Sequence, residues 1–317
     1  VGILPVLADF SQVWSAIRSL GWGEVVVLFA FAGWNLLTYQ FVTMAALPGL
    51  SLGRAFMVGQ ISTAVSNTVP AGSAVGIGIT YAMFSSYGYS AVEIGLAAAL
   101  SGIWNLFAKL GLPIVAFAIV AFRGDPNPAL LSTAVVGLGV LLAAVAAMVL
   151  FARSEALAHR LGGWLGTAAT SLARPLRRGP FDDWPERFVR FRTRTEGLLA
   201  QRWHWLTATS LLSHLSLFAL LLVSLRLLGV PAEDVTTPEA LAAFALVRLV
   251  TALPITPGGV GVVELGMSAA LVVAGGAEAP VVAAVLVYRT LTYALQIPVG
   301  LVCWIIWRAQ SARSTVP

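Results

Sequence analysis

The chain has 317 residues, 58% of them hydrophobic and only 10% charged, with a mean hydropathy of +0.87. A soluble domain carries roughly a quarter charged residues, so this composition excludes a water-coated globule, and with it a soluble enzyme or a nucleic-acid binder, and indicates an integral membrane protein. The net charge of +5 comes from 18 Arg and one Lys, Lys109, against 14 carboxylates, and its excess lies in one segment between spans, a topology signal and an attraction to anionic headgroups.

The length would hold two or three soluble domains, but the apolar runs predict one polytopic bundle, a single domain over residues 1–317. The chain opens on Val1 rather than Met, and VGILPVL reads as the tail of a helix begun further upstream. Val25 to Leu47 is 23 residues without a formal charge, enough to cross about 30 Å of hydrocarbon at about 1.5 Å per residue. After Arg54, residues 55–92 run uncharged for 38 positions, interrupted by NTVPAGSAVGIG. Pro70, Gly72, Gly76 and Gly78 should break this stretch into two half-helices. Residues 94–122 are apolar except for Lys109, and Leu130 to Ala152 is a clean span.

Arg153 to Arg202 holds ten arginines and five carboxylates, the one sizeable polar region. Trp203 to Leu225 then forms a span, followed by the loop GVPAEDVTTP. Residues 239–274 repeat the earlier pattern, a long apolar stretch split by ALPITPGGVG, with Pro254, Pro257, Gly258, Gly259 and Gly261 at the break. Ala279 to Trp307 is the last long helix, and it holds Cys303, a lone cysteine assigned to packing.

The two halves align as an internal repeat, about 55–122 and 239–307. Pro70-Ala71-Gly72 falls on Pro257-Gly258-Gly259 at an offset of 187, and Glu93 and Pro113 fall on Glu278 and Pro298 at an offset of 185. With the Arg-rich segment cytoplasmic, letting each broken pair enter and return to its own side puts Arg54, Arg308 and Arg313 inside and misplaces only Arg18. The alternative, one crossing per pair, misplaces more arginines. Three simple crossings between the repeats then make them inverted. The expected fold is an all-α polytopic membrane bundle with two re-entrant helical hairpins in an inverted repeat, the architecture of alternating-access transporters. The competing reading makes the breaks simple kinks.

Buried polar groups carry the functional expectation. Arg289 stands about ten residues into its helix, where a charge costs about 2.5 to 3.5 kcal/mol on insertion scales. Tyr293 and Gln296 at i+4 and i+7 share its face, and Glu264, three residues after PGGVG, is its natural counter-charge. That pair either staples the bundle or presents Arg289 to a ligand. In the first half Glu93, Ser101, Asn105 and Lys109 recur at multiples of four residues. Lys109, too deep to snorkel, needs a phosphate or carboxylate headgroup or the backbone carbonyls freed at Pro113. Arg248, with Thr251 at i+3, lies in a polar vestibule or faces interfacial lipid. The second half-helices, beginning near Gly72 and Gly258, expose N–H groups suited to an anionic oxygen, with Asn67, Thr68 and Thr256 just before them; small residues there serve tight helix packing equally well.

No catalytic or metal constellation is read. His159, His204 and His214 lack ligand-spaced companions, with His204 expected near the cytoplasmic interface and His214 inside the following span. Asp182-Asp183 lies among arginines, and there is no Walker A sequence. The expectation is a protein that is not an enzyme and uses no cofactor.

TALPITPGGVGVVELG followed by VYRTLTYALQIPVGL resembles the flippase-like transmembrane domain of lysylphosphatidylglycerol synthases, the multiple peptide resistance factor family. The specific parts are Pro257 to Glu264 and the Arg289 helix, with NTVPAGSAVGIG similar to the first-half counterpart. The resemblance implies translocation of a phospholipid, such as aminoacylated phosphatidylglycerol, or of a lipid-linked headgroup. It does not carry lipid synthesis, because the soluble aminoacyl-transferase domain is absent from this sequence, and the first-half break lacks the family's charged residues, with Ser73, Val75 and Gly76 there. A glycosylated lipid is thus also a candidate substrate. The first functional expectation is a lipid flippase or scramblase, with Arg289, Lys109 and Glu264 handling headgroup charge. The alternative is a membrane-embedded partner or lipid-binding module of a separate glycosyltransferase or lipid synthase; a small-solute transporter is third. Membrane lipids are the expected partners, no nucleic acid is, and a homo-oligomer is compatible. Abundant Ala, Val and Arg beside one Lys suits a GC-rich bacterial genome and a multi-pass protein of the cell membrane.

Overall fold

A computed structural model describes residues 10–69, 72–123, 128–173, 184–251 and 256–314. The described residues are helical, with no strand among them: α1 (Phe10–Arg18), α2 (Trp22–Ala46), α3 (Leu52–Thr68), α4 (Gly72–Ser86), α5 (Ala91–Arg123), α6 (Pro128–Arg153), α7 (Glu155–Ala173), α8 (Trp184–Leu227), α9 (Thr237–Val250), α10 (Val262–Val273), α11 (Glu278–Arg289) and α12 (Gln296–Ser314). A 3₁₀ turn at Pro257–Gly259 precedes α10, and a π-helical turn at Thr290–Ala294 joins α11 to α12. Five segments are long and apolar enough to cross a membrane: Trp22–Ala46, Ala91–Phe122, Val135–Arg153, Phe188–Leu227 and Glu278–Gln310. These match the five simple spans read from the sequence. The chain is a multi-pass membrane protein. The upstream helix expected from VGILPVL falls outside the described residues, as do Pro70 and Pro254.

One recurrent sequence device starts these helices. Glutamate at the third helical position accepts the backbone N–H of the residue before the helix: Glu24 from Gly21, Glu93 from Ser90, Glu239 from Thr236 and Glu264 from Gly261, at 2.7 to 2.8 Å. Each carboxylate satisfies an orphan amide and complements the helix dipole. Glu93 is therefore a cap, not part of a polar face running down α5 to Lys109.

The span expected to begin at Trp203 is the later part of α8, which starts at Trp184 and runs unbroken to Leu227. No proline or glycine pair interrupts it, so the polar region and the span share one rod. The preceding helix α7 packs along α8, burying Ala158, Gly162 and Gly166 at four-residue spacing, the small-residue seam that lets two helices approach closely. Pro113 lies inside continuous α5, and α2 is tied to α8 by Asn35, whose Nδ2 donates to Ser216 Oγ at 2.7 Å.

Both broken stretches double back. Ser66 Oγ donates to the Gly72 carbonyl at 3.2 Å and Ser62 Oγ to the Gly76 carbonyl at 2.9 Å, so α3 and α4 are antiparallel partners. At the other end of this pair Arg54 lies over the Tyr87 ring at 4.9 Å. In the second stretch Gly266 faces Val247 and Gly259 faces Thr251, while Gly275 and Gly276 abut Asp234 and Val235, so α9 and α10 are likewise antiparallel from base to tip. Helix α12 lies along α3, with Gly300 pressed on Ala64 and the Gln60 carbonyl. Helix α5 lies along α9, and Lys109 Nζ donates to the Thr251 carbonyl at 3.3 Å. Lys109 thus satisfies a carbonyl freed at the end of α9, not at Pro113.

A Cβ at Gly300 has no room against Ala64 and Gln60. Gly300→Val should lower stability by about 1 to 3 kcal/mol through overpacking, measured as a fall in the unfolding midpoint in detergent, whereas Gly78→Ala, with open space at its Cβ position, should leave it unchanged.

Candidate functional site

The two hairpin tips converge on one side chain. Tyr293, in the π turn, donates its hydroxyl to the Asn67 carbonyl at 3.0 Å, and Asn67 Nδ2 donates back to the Tyr293 carbonyl at 3.4 Å. The same ring occupies the space a Cβ on Gly258 would need. Gly258 also has φ +62°, a left-handed conformation that only glycine adopts readily. Position 258 therefore excludes a side chain twice over.

Beside this junction stands the ion pair expected from the sequence. Arg289 Nε donates to Glu264 Oε1 at 2.7 Å, and its Nη2 donates to the Gly258 carbonyl at 3.0 Å. The guanidinium also lies over the Tyr293 ring at 4.9 Å, a cation–π contact. Glu264 uses its second oxygen to cap Gly261. One carboxylate thus begins α10, neutralises Arg289 and fixes the tip. The second half-helix begins at Val262 rather than near Gly258, and its N-terminus is occupied by its own Glu264, which engages an amide expected there for a ligand. At the first break α4 does begin at Gly72, where a Cβ would meet the Ser66 and Val65 carbonyls at 2.6 and 2.7 Å. That glycine serves close approach.

Arg289, Thr292 and Gln296 line a cavity, while Tyr293, its ring under the Arg289 guanidinium, turns its hydroxyl to the first tip. This chamber, about 240 Å³, is also lined by Arg248, Tyr39, Gln40, Gln60 and Tyr288. Arg248 therefore faces the interior. A second chamber of about 280 Å³ shares Tyr39, Thr63, Asn105, Ser213 and His214 with the first, so the two adjoin. Neither is lined by an aspartate or glutamate among the described residues.

Several buried atoms at these walls have no hydrogen-bond partner among the described residues: Gln40 Oε1, Gln60 Oε1, His214 Nε2, Ser210 Oγ and Arg248 Nε. Gln40, Gln60 and His214 are only 1%, 3% and 4% exposed. Polar atoms taken out of water without partners cost free energy, so this set calls for polar occupants. Thr256 Oγ1 is also buried without such a partner. Thr68 leaves the site: its hydroxyl donates to its own helix at Ala64, and it lines an apolar recess with Ile297 and Trp304. A larger apolar groove, about 960 Å³, runs between α5, α6 and α8, and meets the second chamber at Ser210.

A comparison with known families matches residues 1–300 to the lysylphosphatidylglycerol synthase TM region. The chain belongs to this family. No curated protein matches it. Family membership makes this a membrane protein connected with lipids.

Sequence reasoning missed Tyr39, Gln40, Gln60, Ser210, Ser213 and Tyr288, and gave His214 no role. Searching spans for formal charge overlooks amides and hydroxyls; a Gln in the middle of an otherwise apolar helix was the available signal.

Removing one member of a part-buried ion pair strands the other. Arg289→Ala should destabilise the protein by about 3 to 5 kcal/mol, and the double variant Glu264→Ala/Arg289→Ala should cost clearly less than the two single losses together. Unfolding midpoints in detergent across the four proteins measure this coupling.

Proposed function

We propose that the protein moves a phosphate-bearing lipid headgroup between leaflets, as a flippase or scramblase. The observation that carries this reading is the adjoining pair of polar chambers between the two hairpins, one of them lined by two guanidiniums and buried glutamines, with Glu264 the one carboxylate paired to either arginine among the described residues. Arg248 and Arg289 line the inner chamber, and Lys109 binds Thr251 three residues beyond Arg248. With one carboxylate, already shared between Arg289 and Gly261, the region carries excess positive charge that an anionic oxygen would offset. The groove reaching Ser210 supplies an apolar path from the lipid-facing helices.

In this reading the α3–α4 and α9–α10 hairpins are re-entrant, dipping from opposite leaflets along the full-length rods α5 and α11–α12, and the halves form an inverted repeat. The antiparallel pairing within each hairpin and the meeting of their tips at Tyr293 support it. Arg54 and Arg308 then join the Arg-rich segment on the cytoplasmic side, in the cell membrane of a bacterium. The substrate is a phospholipid or a lipid-linked headgroup, and the task is transport without catalysis.

Two measurements test this. Single cysteines at Gly53 and Ser90, in a Cys303→Ser background, should be labelled from the same side as one at Gln201, and cysteines at Glu233 and Ala277 from the other; labelling of Gly53 and Ser90 from opposite sides would rule out the re-entrant hairpin. Purified protein in liposomes with acyl-labelled phosphatidylglycerol should accelerate leaflet exchange, and Arg248→Gln should slow it by about tenfold or more, the loss of one charge-assisted contact. Exchange no faster than in protein-free liposomes, with an enzyme co-purifying from membranes, would favour the alternative, a lipid-binding module of a separate glycosyltransferase or lipid synthase.

A further inference from the structure

The two chambers differ in chemistry, and the difference selects a headgroup. The inner one is lined by Arg248 and Arg289 with the amides of Gln40, Gln60 and Gln296. The outer one has no charged residue in its wall among the described residues. Hydroxyls of Ser62, Thr63, Ser101 and Ser213 and the amide of Asn105 surround it, and the aromatic residues Tyr39 and Phe84 complete the lining. Two buried polar atoms in this wall lack partners among the described residues: Ser210 Oγ, on a residue 3% exposed, and His214 Nε2, on one 4% exposed. His214 Nδ1 lies 3.0 Å from the Ser210 carbonyl, which fixes the ring so that Nε2 is the atom left for an occupant.

We infer that the outer chamber binds a neutral, hydroxyl-rich unit, a glycerol or sugar, joined to a phosphate held by Arg248 and Arg289 in the inner chamber. This rests on the lipid-headgroup reading and narrows it. Hydroxyl and amide walls donate and accept in equal measure, as a polyol requires, and ring faces pack against the C–H faces of a sugar or glycerol. A volume of about 280 Å³ suits one small polar unit at the lower end of ligand-pocket sizes. A cationic headgroup finds the wrong partners. Both oxygens of Glu264 are engaged by Arg289 and Gly261, neither chamber offers another carboxylate among the described residues, and an ammonium would stand beside guanidiniums of like charge. The charge pattern thus argues against an aminoacylated lipid as the ligand of these chambers.

The test is competition on the full chain in detergent micelles, following displacement of acyl-labelled phosphatidylglycerol. Phosphatidylinositol should displace the probe at about a tenfold lower concentration than lysyl-phosphatidylglycerol. Asn105→Leu/Ser210→Ala should shrink that ratio towards one, while Arg248→Gln should weaken all phosphate lipids together. Equal or better displacement by the lysyl lipid, a ratio unmoved by the outer-chamber variant, or no displacement by any phosphate lipid overturns the inference. If the double variant fails to fold, the wild-type ratio decides alone. Soluble inositol phosphate competing as well as the lipid would support the chamber chemistry and overturn its lipid source. Selective binding combined with leaflet exchange at the protein-free rate would keep this assignment and remove the transport reading alone.

Discussion

Two reversals of the chain meet at Tyr293, and the backbone polar groups freed there need partners. Tyr293, Asn67, Arg289, Gly258 and Glu264 meet that demand together. Tyr293 and Asn67 exchange side-chain bonds to each other's carbonyls, closing the first tip against the long C-terminal rod. Arg289 takes the Gly258 carbonyl and Glu264, closing the second. Glu264 completes the set by capping Gly261. These groups share partners, so a change at one propagates to both tips. The glycine at 258 and the π turn at Thr290–Ala294 belong to the same knot, because the first makes room for the Tyr293 ring and the second aims it there.

A junction so built cannot pack like a hydrocarbon core. Charged and amide side chains gathered around it leave polar walls, and the adjoining chambers are the consequence. The apolar clusters lie to either side: one around Phe244, Met267 and Leu271, the other around Val58, Leu100 and Leu206. They hold the rods in place, while the space between them keeps polar atoms of Gln40, Gln60 and His214 buried but unpartnered among the described residues. Gln40 Nε2 and His214 Nδ1 bond to their own helices, while Gln40 Oε1, Gln60 Oε1 and His214 Nε2 are left for water or for the headgroup proposed above.

Much of this is legible in the order of residues. Four of the five simple spans can be read within a few residues at both ends because 20 or so apolar positions are a direct measure of membrane thickness. The Glu264–Arg289 pair is legible because a deep charge demands a counter-charge. The start of α8 is not, since composition changes at Trp203 while the backbone does not. Counting along the helix places Tyr293 and Gln296 beside Arg289, but it does not reveal the bond from the Tyr293 hydroxyl to Asn67, 226 positions away. Lys109 demands either a headgroup or a freed carbonyl, and Thr251, 142 positions away in sequence, supplies the carbonyl.

By itself the sequence determined that the chain lives in a bilayer, where its helices cross, where they break, and which family it belongs to, because these depend on local hydropathy and on motifs read along the chain. Only the tertiary structure decided which polar residues face one another. Gln40, Gln60, Asn105, His214, Arg248 and Arg289 come from six different helices, and no periodicity along any one of them encodes that meeting. Their gathering depends on how rods pack across the bundle, and that packing also separates a charged chamber from a neutral one.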